Sequence, residues 1–219
     1  MIISELKPFA EIEDSLKSYQ KIFIVGCADC ATACASGGEP QIKQIKEQLE
    51  AKGKSVIGFC LPEATCVAAK LKSELAKNMP LLRQADAVLV LACGLGAQSV
   101  KENDRLGLAV LPGCDTLFGA VMDSQGNFSE KCSMCGACVL GVTEGICPVT
   151  LCAKGLLNGP CGGMNKGKCE LDPERDCAWV LIWRQMEKKQ NAAGMKKINP
   201  PRDCSKSTKP RRLAVNNPV

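Results

Sequence analysis

The chain has 219 residues, sixteen cysteines, no histidine and a formal net charge of +5, from 28 Lys and Arg against 23 Asp and Glu. That charge is mild and concentrated at the end, where Lys196, Lys197, Arg202, Lys206, Lys209, Arg211 and Arg212 face Asp203 alone, which argues against a general nucleic-acid binder. No apolar run is long enough to insert in a membrane, and without histidine any metal site must be rich in thiolates.

The opening stretch MIISELKPFAEIEDSLKSYQ lacks the basic and apolar regions of a secretory signal, so a cytoplasmic protein is expected. In that reducing compartment thiols persist as free, catalytic or metal-bound groups, and sixteen of them favour metal binding over disulfides.

The first half alternates strand and helix signals. The apolar runs IFIV (22–25), VIGF (56–59), AVLVLA (87–92) and LAVL (108–111) read as strands buried on both faces. Between the first two, Pro40 near the start, Ile42, Ile45 and Leu49 on one face and Gly53 as the stop predict a helix. A second helix is predicted from Glu63, with Ala64, Val67, Ala68, Leu71 and Leu75 on its apolar side. The alternation predicts an α/β fold over residues 1–125: a small doubly wound parallel sheet, flavodoxin- or Rossmann-like. Gly37-Gly38-Glu39 lacks the spacing of a phosphate loop or a dinucleotide fingerprint, so no nucleotide site is predicted.

The cysteines of this half sit just after the strands. Cys27, Cys30 and Cys34 follow the first, Cys60 and Cys66 the second, Cys93 the third and Cys114 the fourth. In a parallel sheet these positions converge at the carboxyl edge, where open α/β sheets bind ligands. Packing as a small apolar residue accounts for Cys60, and for Cys114 as well as a ligand role does. Three cysteines within eight residues are poorly explained by packing, and four of Cys27, Cys30, Cys34, Cys66 and Cys93 are expected to hold one [4Fe-4S] centre. Their C-x2-C-x3-C order is not that of radical S-adenosylmethionine enzymes.

Eight further cysteines lie in residues 126–190, a small cysteine-rich, metal-stapled domain. Cys132, Cys135 and Cys138 follow a C-x2-C-x2-C rule, resembling the bacterial ferredoxin run more closely than the separated C-x2-C pairs of zinc fingers. They are expected to share a cluster with one remote cysteine. Cys147, before Pro148, is expected to group with later residues such as Cys152, Cys161 or Cys169, and Cys177 completes a division into two four-thiolate sites, the second holding a cluster or zinc.

Trp179 to Lys189 is expected to form a closing helix with Val180, Leu181, Trp183 and Met186 on its apolar side. Residues 191–219 read as an extended basic tail with Cys204 a free thiol. Such a tail is a solvated end or an arm toward an acidic partner face, and its removal is expected to leave metal content intact. Lacking histidine, an evident carboxylate pair and an activated serine, the chain has none of the usual acid–base groups of a catalyst.

GCADCATACASGGE, LACGLGAQ, DTLFG, CSMCGACVLGVTEGICPVTLCAKGLLNGPCGG and GKCELDPERDCAWVLIW together resemble the cysteine-rich accessory subunit of methylenetetrahydrofolate reductase, the MetV type of acetogenic bacteria, over about residues 21–190. Cys27, Cys30, Cys34, Cys66, Cys93 and every cysteine from Cys132 to Cys177 match that family, while Cys60 and Cys114 are additions. A looser likeness, to the proximal-cluster site of nickel–iron hydrogenase small subunits, would instead bring in Cys114. The resemblance implies an electron-transfer subunit with at least two [4Fe-4S] clusters. It also implies a catalytic partner that carries FMN on a TIM barrel and reduces methylenetetrahydrofolate to methyltetrahydrofolate, in the one-carbon metabolism of the Wood–Ljungdahl pathway. The electron donor would be a ferredoxin-like or larger redox protein. The alternative is a zinc-thiolate scaffold in the same kind of complex, with no electron-transfer role.

Overall fold

The computed structural model describes residues 1–213, and the chain divides into two units, Met1–Phe118 and a second beginning at Gly119. The first contains β1 (Ile2–Leu6), α1 (Phe9–Ser15), β2 (Lys21–Val25), α2 (Cys30–Ala33), α3 (Glu39–Ala51), β3 (Ser55–Cys60), α4 (Ala68–Lys77), α5 (Met79–Leu82), β4 (Ala87–Val90), α6 (Gly94–Asn103) and β5 (Ala109–Pro112). It also holds the start of β6 (Cys114–Met122), which pairs with β1.

Strands β3, β2, β4 and β5, in that order, form a fully parallel sheet. Successive side chains point to opposite faces. Ile22, Ile24, Ala87 and Leu89 therefore pack with Ile12, Leu16, Ile42, Ile45 and Leu49 from α1 and α3. Phe23, Val25, Val88 and Val90 pack on the other side with Leu71, Leu75, Leu82 and Val100 from α4, α5 and α6. Helices thus cover both faces, and all four strands end at one edge.

Two features of this unit depart from the sequence reading. The helix expected from Glu63 begins only at Ala68. Residues 61–67 turn instead, because Thr65 is buried and its hydroxyl donates to the Gly26 carbonyl at 2.7 Å, tying the segment to the end of β2 and leaving Cys66 on a loop. Strand β1 was not anticipated; only its middle residues, Ile3 and Ser4, are buried, too short a pattern to read as a strand.

In the second unit the end of β6 pairs antiparallel with β7 (Phe128–Glu130) around a turn in which Asp123 accepts the amides of Gln125 and Asn127. α7 (Pro148–Leu151), β8 (Lys168–Cys169), β9 (Asp172–Asp176) and α8 (Ala178–Lys188) follow. The core is small: Trp179, Ile182 and Met186, with Ile146, Leu156 and Met195 against them.

The closing helix is present, but it is rotated from the expected orientation. Ala178, Trp179, Ile182 and Met186 face inward, while Trp183 is 43% exposed. Trp179 is the better tryptophan to bury because its indole N–H donates to the Leu156 carbonyl at 3.0 Å.

Nor is the tail simply extended. Short 3-10 helices form at Ala192–Lys196 and Cys204–Ser207, and side chains pin the segment to the rest of the unit. Residues 214–219 of the expected tail lie outside the described residues. Among the described residues no helix is long and apolar enough to cross a membrane.

Candidate metal centres

All sixteen cysteines carry free thiols, and thirteen of them are the sequence-derived candidates. The structure sorts these into three neighbourhoods.

At the carboxyl edge of the parallel sheet, Cys27 follows β2, Cys66 lies on the loop after β3, and Cys93 follows β4 at the start of α6. Cys66 senses the other two. Burial pushes the Cys66 thiol up, and the negative charges of Cys93 and Cys27 push it the same way. Cys30 and Cys34 lie at the two ends of α2. The Ile2 amide donates to the Cys30 sulfur at 3.5 Å, and burial, the largest influence, raises that thiol.

Cys34 meets the hydroxyls of Ser4 at 3.7 Å and Ser36 at 3.5 Å, and these two hydroxyls bond each other at 2.8 Å in a buried position. Ser4 and Ser36 carried no motif that sequence reasoning could have used. Cys114 donates to the Ser36 carbonyl at 3.3 Å, and burial pushes its thiol up to about 12. Cys60 is buried among aliphatic side chains, and burial likewise pushes it to about 12, as suits a packed thiol.

The second neighbourhood is the loop of Cys132, Cys135 and Cys138. Met134 and Gly136 take positive φ, +53° and +79°, which curls the loop. The Met134 amide donates to the Cys132 sulfur at 3.3 Å. A backbone hydrogen bond with Ala137, followed by the Arg202 guanidinium, holds Cys135 below the usual thiol range. Cys147, at the start of α7, has its thiol 3.7 Å from the Thr150 hydroxyl.

The third neighbourhood lies beside the start of α8. Cys152, Cys161, Cys169 and Cys177 line one cavity of about 20 Å³, together with Leu151, Met164 and Trp179. Cys161 donates to Glu170 at 3.3 Å, and Glu170 is ion-paired with Lys154. The structure therefore puts Cys177 with Cys152, Cys161 and Cys169, while Cys147 is not among the residues lining this cavity.

Among the described residues no three Cys, Asp or Glu side chains converge on one point as a metal-ion group. The donor chemistry still fits a thiolate-bound group in all three places. At the sheet edge the sulfurs come from three separate loops, a spread suited to a body larger than one ion. Around the third cavity four thiols come together, the number that a single four-coordinate ion takes.

A larger cavity of about 250 Å³ lies elsewhere in the second unit, between Trp179, Met186, Glu144, Asn158 and Lys197. It contains no thiol.

Residues 111–205 match the family described as methylene-tetrahydrofolate reductase C terminal. The chain is similar to that family over this segment alone, which holds Cys114, the eight cysteines from Cys132 to Cys177 and Cys204. No curated protein and no solved structure matches the chain.

Proposed function

We propose that this chain is a MetV-type electron-transfer subunit of a methylenetetrahydrofolate reductase complex. It would work in the cytoplasm beside an FMN-bearing catalytic subunit and take electrons from a ferredoxin-like or larger donor. The observation that carries this reading is the match of residues 111–205 to the reductase family, on a segment whose candidate ligands are all thiols. The flavodoxin-like reading of the first unit belongs to the same proposal, supported by its parallel order and its helices on both faces.

In this reading Cys27, Cys66 and Cys93, completed by Cys30 or Cys34, bind one [4Fe-4S] cluster, and Cys132, Cys135 and Cys138 bind a second. When bound, such a cluster supplies one-electron transfer at a potential set by its surroundings. The chain's own contribution is to hold the sulfurs, exclude water and direct N–H and O–H donors at them. Met134 N–H at Cys132, Ile2 N–H at Cys30 and Ser4 Oγ at Cys34 are placed to do so. Cys152, Cys161, Cys169 and Cys177 are assigned to zinc, because four thiols lining one cavity match in number the closed tetrahedral site of a single ion. That observation is also what favours the second reading, a zinc-thiolate scaffold subunit.

Anaerobic purification followed by iron, sulfide and zinc counts separates the two readings. Iron and sulfide for two clusters with one zinc per chain is the expected result. A chain carrying zinc alone in every site, or a catalytic subunit whose flavin is reduced by ferredoxin equally well without this chain, would sink the electron-transfer reading.

A further inference from the structure

We propose that the segment Asn199–Arg211 is a basic strap closed over the Cys132–Cys138 loop, with Arg211 the positioning residue that ties the strap to the loop. The proposal rests on the reading that this loop binds a cluster, and it goes beyond the expectation of a tail that is either a solvated end or an arm toward a partner.

The strap is tied at both ends. At its root the Asn199 amide donates to Asn158 Oδ1 at 2.7 Å, Asn158 Nδ2 donates back to the Asn199 carbonyl at 3.1 Å, and Asn199 Nδ2 donates to the Leu157 carbonyl at 3.0 Å. At its far end Arg211 Nη1 donates to the Met134 carbonyl, inside the cysteine loop, at 3.0 Å and to the Lys206 carbonyl at 3.2 Å. One guanidinium thus links the loop to the strap.

Between these ties the two pieces of chain touch. A Cβ built on Gly136 would lie 2.8 Å from both the Cβ and the carbonyl oxygen of Lys206, closer than real carbon contacts allow. Gly136 also sits at φ +79°. Glycine is required there by conformation and by the strap's approach alike. Asp203, the strap's lone acid, accepts from the Ser205 amide at 3.0 Å and caps the 3-10 helix that brings Lys206 to the loop. Its charge is engaged on the strap itself.

The chemistry follows from charge. The run Lys131 to Cys138 contains no carboxylate, and the strap adds Arg202, Lys206 and Arg211 around it. A thiolate-ligated cluster becomes more negative on reduction, so fixed positive charge beside it favours the reduced state. Arg211, hydrogen-bonded to the Met134 carbonyl inside the loop and to the Lys206 carbonyl on the strap, is the cation best placed to act. A guanidinium held by two ties keeps that position, whereas a mobile tail would be screened by salt.

The test uses the full chain, purified anaerobically with its metal in place, as wild type and as Arg211→Gln, Arg211→Lys and Asn199→Ala. Iron and sulfide counts, an EPR-monitored redox titration, and amide hydrogen exchange over residues 131–138 and 199–211 are measured. Arg211→Gln is expected to keep its iron and to disfavour reduction of one cluster about tenfold, a shift of about 59 mV for one electron. Arg211→Lys, which keeps the charge, is expected to lie close to wild type in potential. Asn199→Ala, outside the loop, is expected to raise exchange severalfold over residues 131–138 and to leave the Cys66 loop unchanged. A wild-type potential in Arg211→Gln, or wild-type exchange in Asn199→Ala, overturns the strap. Wild-type protein without iron and sulfide overturns the cluster reading instead, and the exchange rates then judge the strap alone.

Discussion

In the first unit the sheet is sealed on both faces: Phe23, Ile24, Val25 and Leu89 are inaccessible to solvent, and two apolar layers flank them. In the second, the buried core is three residues of one helix, Trp179, Ile182 and Met186, while eight cysteines lie between Cys132 and Cys177. Burying apolar area at about 25 cal/mol per Å² offsets chain entropy only when many side chains are buried together. The first unit meets that condition without help. The second does not, and small domains in that position depend on metals or other staples. On the proposed reading the thiols in the two units have different work: in the first they are fitted to the rim of a scaffold that stands without them, and in the second, with bound metal, they are the scaffold.

The largest expected effect follows directly. Stripping metal with a strong chelator under reducing conditions should expose the second unit to protease along residues 130–177 and leave the parallel sheet of the first resistant. Limited proteolysis with mass mapping of the fragments reads this. Equal resistance of both units after metal removal would erase the distinction.

Next in size are deletions within each core. Ile24→Ala should cost about 2–5 kcal/mol in the first unit and Trp179→Ala about 3–5 kcal/mol in the second, read as shifts in urea midpoint with probes in each unit. Trp179→Ala also leaves the Leu156 carbonyl without its indole donor. If Trp179→Ala costs far less than Ile24→Ala while metal is bound, the metals carry the second unit almost alone.

Cys60 tests the scaffold side of the comparison with pH. Burial raises its thiol from 9.0 to about 12 in the folded chain. Between those values the unfolded chain has lost a proton that the native chain keeps, so stability falls as pH rises, by about 1.4 kcal/mol per pH unit, and below that window the contribution is fully present. Wild type should therefore lose more stability than Cys60→Ala between about pH 9 and about pH 10. The difference in their urea midpoints is the measurement, since other titrating groups are common to both. Parallel losses would mean that this thiol does not hold a buried proton.

Much of the first unit was legible in the sequence because its signals are redundant. Each strand is a short apolar run bounded by turns, and Ile42, Ile45 and Leu49 fall on one helical face. The parallel order that places Cys27, Cys66 and Cys93 at one edge follows from that alternation. Strand β1 and its Ser4 were not legible: a five-residue strand with two buried positions has no period to read.

In the second unit, eight thiols admit many divisions, and spacing alone does not choose among them. Only the fold puts Cys177 with Cys152, Cys161 and Cys169. The strap was hidden for a similar reason, since a basic, proline-bearing segment has the composition of a solvated tail whether or not a glycine elsewhere makes room for it.

The smallest expected effect concerns the two tryptophans of α8, where the sequence pattern and the structure disagree. Apolar stripes at 179, 182 and 186 and at 180 and 183 both obey helical spacing, so periodicity leaves the rotation of the helix undecided. The structure buries Trp179 and leaves Trp183 43% exposed beside Met164, Val180 and Arg184. Trp183→Ala should then change the stability of the isolated chain by no more than about 0.5 kcal/mol, against the several kcal/mol expected at Trp179. Urea denaturation of the two variants side by side gives the answer. A large loss at Trp183 with little at Trp179 would mean that α8 is rotated by about 100° from the orientation found here and that the core of the second unit is built on the other stripe.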